Sequence, residues 1–238
     1  FEGMEIVNHD YTKDITFEIR LGFIRKVYGI VIAQLLFSCF LISLTFNDNI
    51  AWFFVDNLVV FYLCVLTSVI ITIMLFFPYC FKFVREVPIN YCILFVWTFC
   101  ESWIIATAAA SYDTTTVLIA AGLTCVIVIS LTVYAWTTTT DFTFCGGFLF
   151  VFSTIMFFMG VLFLIFGINI KNFPLLNILF CGIGVLLFSM YLIYDTQLLI
   201  GKFGKEFNID DYIIASMMIY IDILEVFISI LNLCQRRR

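Results

Sequence analysis

The sequence predicts an all-α integral membrane protein, a polytopic bundle of seven transmembrane helices. Of its 238 residues, 63% are hydrophobic and 12% are charged, whereas about a quarter of the residues of a soluble domain are charged. The mean hydropathy is +1.12. Apolar runs of about 20 residues, the length that a helix needs to cross a bilayer, recur between short polar connectors. Runs this long satisfy their backbone hydrogen bonds as helices in lipid, so a closed barrel is not expected.

The first half of the chain is predicted to hold a short tail and three spans. Residues 1–3 precede Met4, and we expect them to be a remnant of cloning. Residues 4–23 are polar and of mixed charge, and we interpret them as a cytoplasmic tail. Spans are predicted over residues 24–46, 58–77 and 89–110. Pro78 closes the second span, and Pro88 opens the third at the helical position where proline is best tolerated.

The second half is predicted to hold four more spans. They cover residues 116–136, 144–168, 174–200 and 212–233. The seven spans together form one transmembrane helical domain, residues 24–233, followed by a basic tail at residues 234–238. The last segment is either a full crossing or a re-entrant segment.

The placement of Lys and Arg predicts a cytoplasmic N-terminus. With seven crossings, eight of the 12 basic residues face the cytoplasm. These are Lys13, Arg20, Arg25, Lys26, Lys82, Arg85, Lys202 and Lys205. Arg236, Arg237 and Arg238 then lie on the opposite side, against the rule, unless the last segment is re-entrant. Both alternatives keep the N-terminus in the cytoplasm.

Two carboxylates lie within the last two apolar segments, Asp195 in IYDTQLLI and Asp222 in MIYIDILEVF. A charge at the bilayer centre costs about 2.5–3.5 kcal/mol on insertion scales, so the pair is a candidate functional centre. Two unit charges at about 4 Å repel by about 4 kcal/mol at an effective dielectric constant of about 20. We therefore expect a proton-sharing latch, closed by a carboxyl–carboxylate hydrogen bond at low pH and open at higher pH. The open pair offers hard oxygen ligands for transient Ca²⁺.

Other acids extend this candidate ion pathway. Asp222, Glu225, Ser229 and Asn232 recur at three- and four-residue steps, so they form a polar stripe on one helix face. Glu101 adds a carboxylate within the third span. For Glu101 a structural interhelical hydrogen bond is the alternative role, and for Glu225 a purely structural role also stays open.

Asp210 and Asp211 stand at the start of the last segment. Acids at such a position can concentrate cations at the mouth of a pathway. Acids at the beginning of a helix also stabilise the helix itself, and that alternative is the favoured one.

Motifs spread over almost the whole chain resemble the transmembrane Bax-inhibitor-motif family. They are EIRLGFIRKVYGIVIAQLL, VPINY, FCESWIIATAAASYD, SLTVYAWTTTTDFTFCGG, IYDTQLLI and DDYIIASMMIYIDILEVFISIL. Within that family the chain is most similar to the Golgi anti-apoptotic protein branch, which has cellular and poxviral members. The resemblance implies a seven-helix protein of the Golgi membrane, and in part of the endoplasmic reticulum. It also implies a cation leak that lowers stored Ca²⁺ and inhibits apoptosis.

The resemblance also implies roles for individual residues. Asp195 and Asp222 match the aspartyl pair of the family, and Glu101 matches the acid of the third helix. Asp210 matches an acidic position, usually Glu, at the beginning of the last segment. Glu225 is a departure, because relatives more often have Asn there.

Two other classes of function stay open. An aspartyl intramembrane protease also needs two aspartates on neighbouring helices, but its GxGD and PAL motifs are missing here, where the second helix reads YIDILE. A non-conducting adaptor would suppress cell death by binding cell-death or Ca²⁺-release proteins. We expect no enzymatic activity and no cofactor, with Ca²⁺ and H⁺ as permeant ions and the bilayer as the main partner. A net charge of −5 argues against nucleic acid.

Overall fold

Every regular element in the described part of the chain is a helix, as the apolar runs predict. The computed structural model describes residues 2–76, 86–166, 173–204 and 206–234. The helices are α1 (Glu2–Leu44), α2 (Asp48–Asp56), α3 (Leu58–Phe76), α4 (Ile89–Ala110), α5 (Thr114–Thr137), α6 (Gly146–Ile165), α7 (Pro174–Ile200) and α8 (Tyr212–Cys234). Single 3₁₀ turns, Thr143–Cys145 and Ile209–Asp211, precede α6 and α8.

The helices confirm a polytopic membrane bundle. Among the described residues, six helices are long and apolar enough to cross a membrane. A seventh crossing results if α2 and α3, which are bent by 64° at the break between them, count as one span. An asparagine flanks each end of α2, and Asn57 stands at the break. Asn47 caps α2 by accepting a hydrogen bond from the Asn49 amide (3.0 Å), and Asn57 donates from its side chain to the Phe53 carbonyl (2.7 Å).

The last helix, α8, is the central one. In the most apolar 18-residue stretch of the segment that contains it, 72% of the residues are buried inside the protein. The corresponding share for the segment that contains α6 is 6%. It packs against α1, α4, α5 and α7. The segment Ile209–Cys234 has 26 residues, enough for a full crossing rather than a shorter re-entrant loop.

The first helix continues through the predicted boundary between tail and bundle. α1 shows no break at residue 23. Phe23, Ile24 and Val27 are at most 6% exposed and pack with Leu192 and Leu199 of α7 in one apolar cluster. The residues just before position 24 therefore belong to the bundle and not to a separate tail.

Arg20 holds the C-terminal end of α7. Its guanidinium donates from Nε to the Leu199 carbonyl (2.9 Å) and from Nη2 to the Leu198 carbonyl (2.7 Å). Nη1 donates to the Phe207 carbonyl (2.7 Å) and lies 3.3 Å from Glu206. The last carbonyls of a helix lack partners within it and carry partial negative charge, so a cation stabilises them.

Some predicted features lie outside the described residues. They include Pro78, the turn with Lys82 and Arg85, the end of the fifth span with Lys171, Lys205 in the last connector, and the tail with Arg236, Arg237 and Arg238.

Replacement of Arg20 by glutamine is expected to loosen the connector between α7 and α8. Hydrogen bonds to charged groups contribute about 1.5–3 kcal/mol, and several are lost here. The opening free energy of the connector should fall by about 2 kcal/mol, which corresponds to about 30-fold faster exchange. Hydrogen–deuterium exchange of the Gly201 and Phe207 amides, which donate to carbonyls of α7, measures this effect.

The matched control is Arg25→Gln, which removes the same charge from an exposed position of α1. It should leave both exchange rates unchanged. Equal protection in the wild type and Arg20→Gln would show that the guanidinium does not hold the connector.

Candidate functional site

The interface between α7 and α8 brings Asp195 and Asp222 together in the interior of the bundle. The two residues are 1% and 4% exposed, and their carboxyl groups lie close enough to interact directly. Two ionised carboxylates are acceptors only, so a hydrogen bond between them requires that one of them carry a proton. Such a pair can share one proton between its two carboxyl groups.

Each carboxyl group also keeps one buried oxygen without a hydrogen-bond partner. Among the described residues, neither Oδ1 of Asp195 nor Oδ2 of Asp222 accepts a hydrogen bond. Buried polar atoms of native proteins are normally paired, and an unpaired one costs free energy. Each carboxyl group of the pair can therefore still accept a hydrogen bond or contact a cation.

A mainly apolar cavity of about 310 Å³ lies beside the pair. Asp195 and Asp222 form part of its wall together with residues of α3, α4, α6, α7 and α8. The aromatic members of the lining are Trp97, Phe150, Phe188 and Tyr191. The Tyr191 hydroxyl is hydrogen-bonded to Ser153 Oγ of α6 at 3.0 Å. The carboxyl pair thus faces a space that is large enough for a ligand or for several waters.

Glu225 and Glu101 continue the line of acids from the pair toward α4. Glu225 is one helical turn after Asp222 and interacts electrostatically with both Asp222 and Glu101. Ser68 of α3, whose hydroxyl donates to the Val65 carbonyl (3.1 Å), lies near the Glu101 carboxylate. Three helices therefore contribute carboxyl groups to one series, although Glu101 and Glu225 are not part of the cavity wall.

The polar stripe predicted on α8 does not continue beyond Glu225 as a hydrated path. Ser229 is 8% exposed and its Oγ lies 2.8 Å from the position of a Cβ added at Gly184, so the helices approach closely there. Asn232 accepts a hydrogen bond from the Tyr112 hydroxyl (2.7 Å) and donates to the Ile228 carbonyl (2.9 Å). Helix packing occupies this half of the stripe.

Asp210 and Asp211 lie apart from the carboxyl pair. They belong to the 3₁₀ turn before α8, where Asp210 is exposed and Asp211 is partly buried. Asn208 donates from its side chain to Asp211 Oδ2 at 3.2 Å. With Arg20 they border a polar cleft of about 540 Å³. At a rise of 1.5 Å per residue, Asp211 is about 16 Å from Asp222 along the axis.

Gln197 belongs to the site region but was missed in the sequence, although it follows Asp195 by two residues. Its side chain is 0% exposed. Its Oε1 accepts from the Phe142 amide (2.8 Å) and its Nε2 donates to the Thr140 carbonyl (2.9 Å). The amide group thereby ties the connector between α5 and α6 to α7. An amide within an apolar span was the signal that could have identified it.

A buried polar cluster also escaped the sequence analysis. Ser38 and Ser102 are hydrogen-bonded to each other (2.9 Å) and to the Tyr220 hydroxyl (2.7 and 3.1 Å). Gln34 of α1 donates to Thr98 of α4 at 2.8 Å. These contacts fix α8 against α1 and α4 one half-turn before Asp222, so they position the helix that carries the pair.

No resident metal centre is formed in the described ranges. There, no three His, Cys, Asp or Glu side chains converge on a metal-sized site. Contact of Ca²⁺ with Asp195 and Asp222 stays a prediction for a passing ion.

The chain matches a known protein family and several of its members. The family described as "Inhibitor of apoptosis-promoting Bax1" matches residues 20–238. Human protein lifeguard 3 is 32% identical over 217 residues, which are 91% of this chain and 69% of that protein. Mouse protein lifeguard 3 is 30% identical over 92% of this chain and 71% of its own length. Protein LIFEGUARD 4 of Arabidopsis thaliana is 33% identical over 91% and 85%. The family match includes every residue of the site.

Replacement of Gln197 by leucine is expected to release the connector between α5 and α6. The substitution introduces an apolar side chain of similar size and removes the hydrogen bonds to the Phe142 amide and the Thr140 carbonyl. Each such hydrogen bond contributes about 0.5–1.5 kcal/mol. Hydrogen–deuterium exchange of the Phe142 amide should therefore be about tenfold faster.

Lys202→Met is the matched control, because Lys202 holds the same connector through an exposed hydrogen bond to the Thr138 carbonyl (2.7 Å). It should change the exchange of Phe142 little. If both substitutions had equal effects, Gln197 would not be the residue that fixes the connector.

Proposed function

Because the chain belongs to the family of inhibitors of apoptosis-promoting Bax1, we propose that it acts as a pH-sensitive Ca²⁺ leak of intracellular membranes. The protein is an anti-apoptotic multi-pass membrane protein by its family and its helices. The leak is the mechanism proposed for that activity, through a fall in stored Ca²⁺. No enzymatic step belongs to the proposal.

The observation that carries the proposal is the close approach of two buried carboxyl groups on neighbouring helices. Loss of the shared proton would place two negative charges in contact, with a repulsion of about 4 kcal/mol at an effective dielectric constant of about 20. Such a repulsion favours separation of α7 from α8. Since α8 also packs on α1, α4 and α5, its displacement would loosen the centre of the bundle.

The remaining acids supply steps along the proposed pathway. Glu225 and Glu101 lie next to the pair, and carboxylate oxygens are the ligands that Ca²⁺ prefers. Asp210 and Asp211 lie at one end of α8, where negative charge raises the local cation concentration. A permeant ion must also leave each site, and pairs of carboxylates without a full coordination shell hold Ca²⁺ weakly enough for that.

We place the protein in the Golgi membrane, and in part in the endoplasmic reticulum, with a cytoplasmic N-terminus. The location follows from the sequence resemblance. The orientation is supported by the described basic side chains. Arg20, Lys26 and Lys202 all contact the end of the bundle where α7 ends and α8 begins, and basic residues favour the cytoplasmic side.

Liposomes that contain the purified protein are expected to show Ca²⁺ flux that rises with pH. The slope can reach about tenfold per pH unit, the limit for release of one proton. Asp195→Asn and Asp222→Asn should each give a low flux without this pH response, because an asparagine amide can donate to the remaining carboxylate at any pH. Flux assays with a Ca²⁺ indicator between about pH 6 and pH 8 measure this.

Asp56→Asn is the charge-matched control, since Asp56 is exposed and distant from the pair in sequence. Glu101→Gln and Glu225→Gln should lower the flux and keep its pH response. No wild-type flux above that of empty vesicles would contradict the leak. If the flux keeps its pH response in both Asp variants, the latch alone is contradicted. If a variant without flux still protects cells, the result favours a non-conducting adaptor.

A further inference from the structure

The cavity beside the carboxyl pair has the composition of a site for a largely apolar ligand. Its volume of about 310 Å³ lies at the lower end of the range for small-molecule pockets. Its wall is mainly apolar and includes Trp97, Phe150, Phe188 and Met218. A long hydrocarbon chain placed here would be removed from water or lipid headgroups and would fill space that the protein leaves empty.

The polar end of the cavity consists of the two carboxyl groups. Asp195 and Asp222 line it, are at most 4% exposed, and each keep one oxygen without a partner among the described residues. Both free atoms are acceptors. A ligand that complements them must therefore bring hydrogen-bond donors, and more than one N–H on a single small head group satisfies both oxygens.

The charge of the pair selects the kind of donor. A hydrogen-bonded pair with one proton carries one negative charge. The titratable groups that interact with it are Glu225, Tyr191 and Tyr194, none of them a cation. Of the described basic residues, Arg20, Lys26 and Lys202 are engaged at the end of the bundle. In the described part of the protein the complementary positive charge is thus supplied by no side chain, and an ammonium group would supply it.

The walls also indicate where the ligand comes from. Thr72 of α3 and Phe150 and Ser153 of α6 stand on either side of the cavity. Within the described residues these two helices make no substantial contact with each other. α6 lies at the periphery and exposes large apolar side chains along its length. The gap between α3 and α6 therefore opens sideways toward the hydrocarbon of the bilayer.

We propose that this cavity is a lateral binding site for a single-chain lipophilic amine of the lipid phase, of the sphingoid-base type. The ammonium group donates to the free oxygens of Asp195 and Asp222, and the hydrocarbon chain lies between α3 and α6. The site uses the same carboxyl pair as the proposed leak, but binding does not require that ions pass. An amine bound there neutralises the pair and holds α7 and α8 together.

The test is photolabelling in nanodiscs with sphingosine that carries a diazirine in its chain, followed by mass spectrometry of the labelled peptides. Labelling is expected on peptides that contain Phe150 or Met218. Excess sphingosine should compete, whereas octadecanol, which has a similar chain and no ammonium group, should not. The double substitution of Asp195 and Asp222 by Asn should reduce labelling about tenfold, the loss expected for one charge-assisted interaction.

Two further variants make the outcome decisive. Ser153→Phe fills the cavity from peripheral α6 without altering the acids and should abolish labelling, even if the double Asn variant does not fold. Asp56→Asn should label as the wild type does. Equal competition by octadecanol, or cavity labelling that Ser153→Phe leaves unchanged, would overturn the site. Intact labelling in protein without Ca²⁺ flux would overturn the leak and leave the amine site standing.

Discussion

The buried pair of Asp195 and Asp222 is the constraint on which the proposed function depends. It joins α7 to α8, the most buried helix of the bundle, in surroundings where two ionised carboxylates would repel strongly. In the proposed latch, one proton decides whether this interface attracts or repels. Packed helices respond to such a change by moving between discrete arrangements and not by gradual deformation, so a local protonation event can affect the whole bundle.

The other polar contacts limit which parts of the bundle can move. Arg20 fixes the end of α7 and its connector, and Gln197 fixes the connector that precedes α6. Ser38 and Ser102 hold Tyr220 of α8 against α1 and α4. These contacts lie at or before the level of the pair. Beyond it, α8 is held by the hydrogen bond from the Tyr112 hydroxyl to Asn232 and by close packing of Ser229 on Gly184.

The positions of the helices and the two aspartates within them could be predicted from the sequence, because both follow from local properties. Long apolar runs must be helical in lipid, and a carboxylate within such a run stands out by its cost. The roles of Arg20 and Gln197 depend on carbonyl and amide groups at least 55 residues away, which no local pattern reveals. The course of α1 through residue 23 likewise depends on packing of Phe23 against α7. The spacing of the polar residues on α8 could not show which part of the stripe is buried by helix packing, because a hydrated face and a packed face have the same spacing.

The central claim is that the buried pair holds one proton in the closed bundle. Infrared difference spectroscopy of the protein in nanodiscs tests it most directly, because a protonated carboxyl group and a carboxylate absorb separately. We expect the band of a protonated carboxyl group near neutral pH, its loss on alkalinisation, and its absence from Asp222→Asn, in which the amide replaces the proton as donor. The account would be contradicted if the wild type near neutral pH lacked the band of a protonated carboxyl group. Its spectrum would then be the same in this region as that of Asp222→Asn.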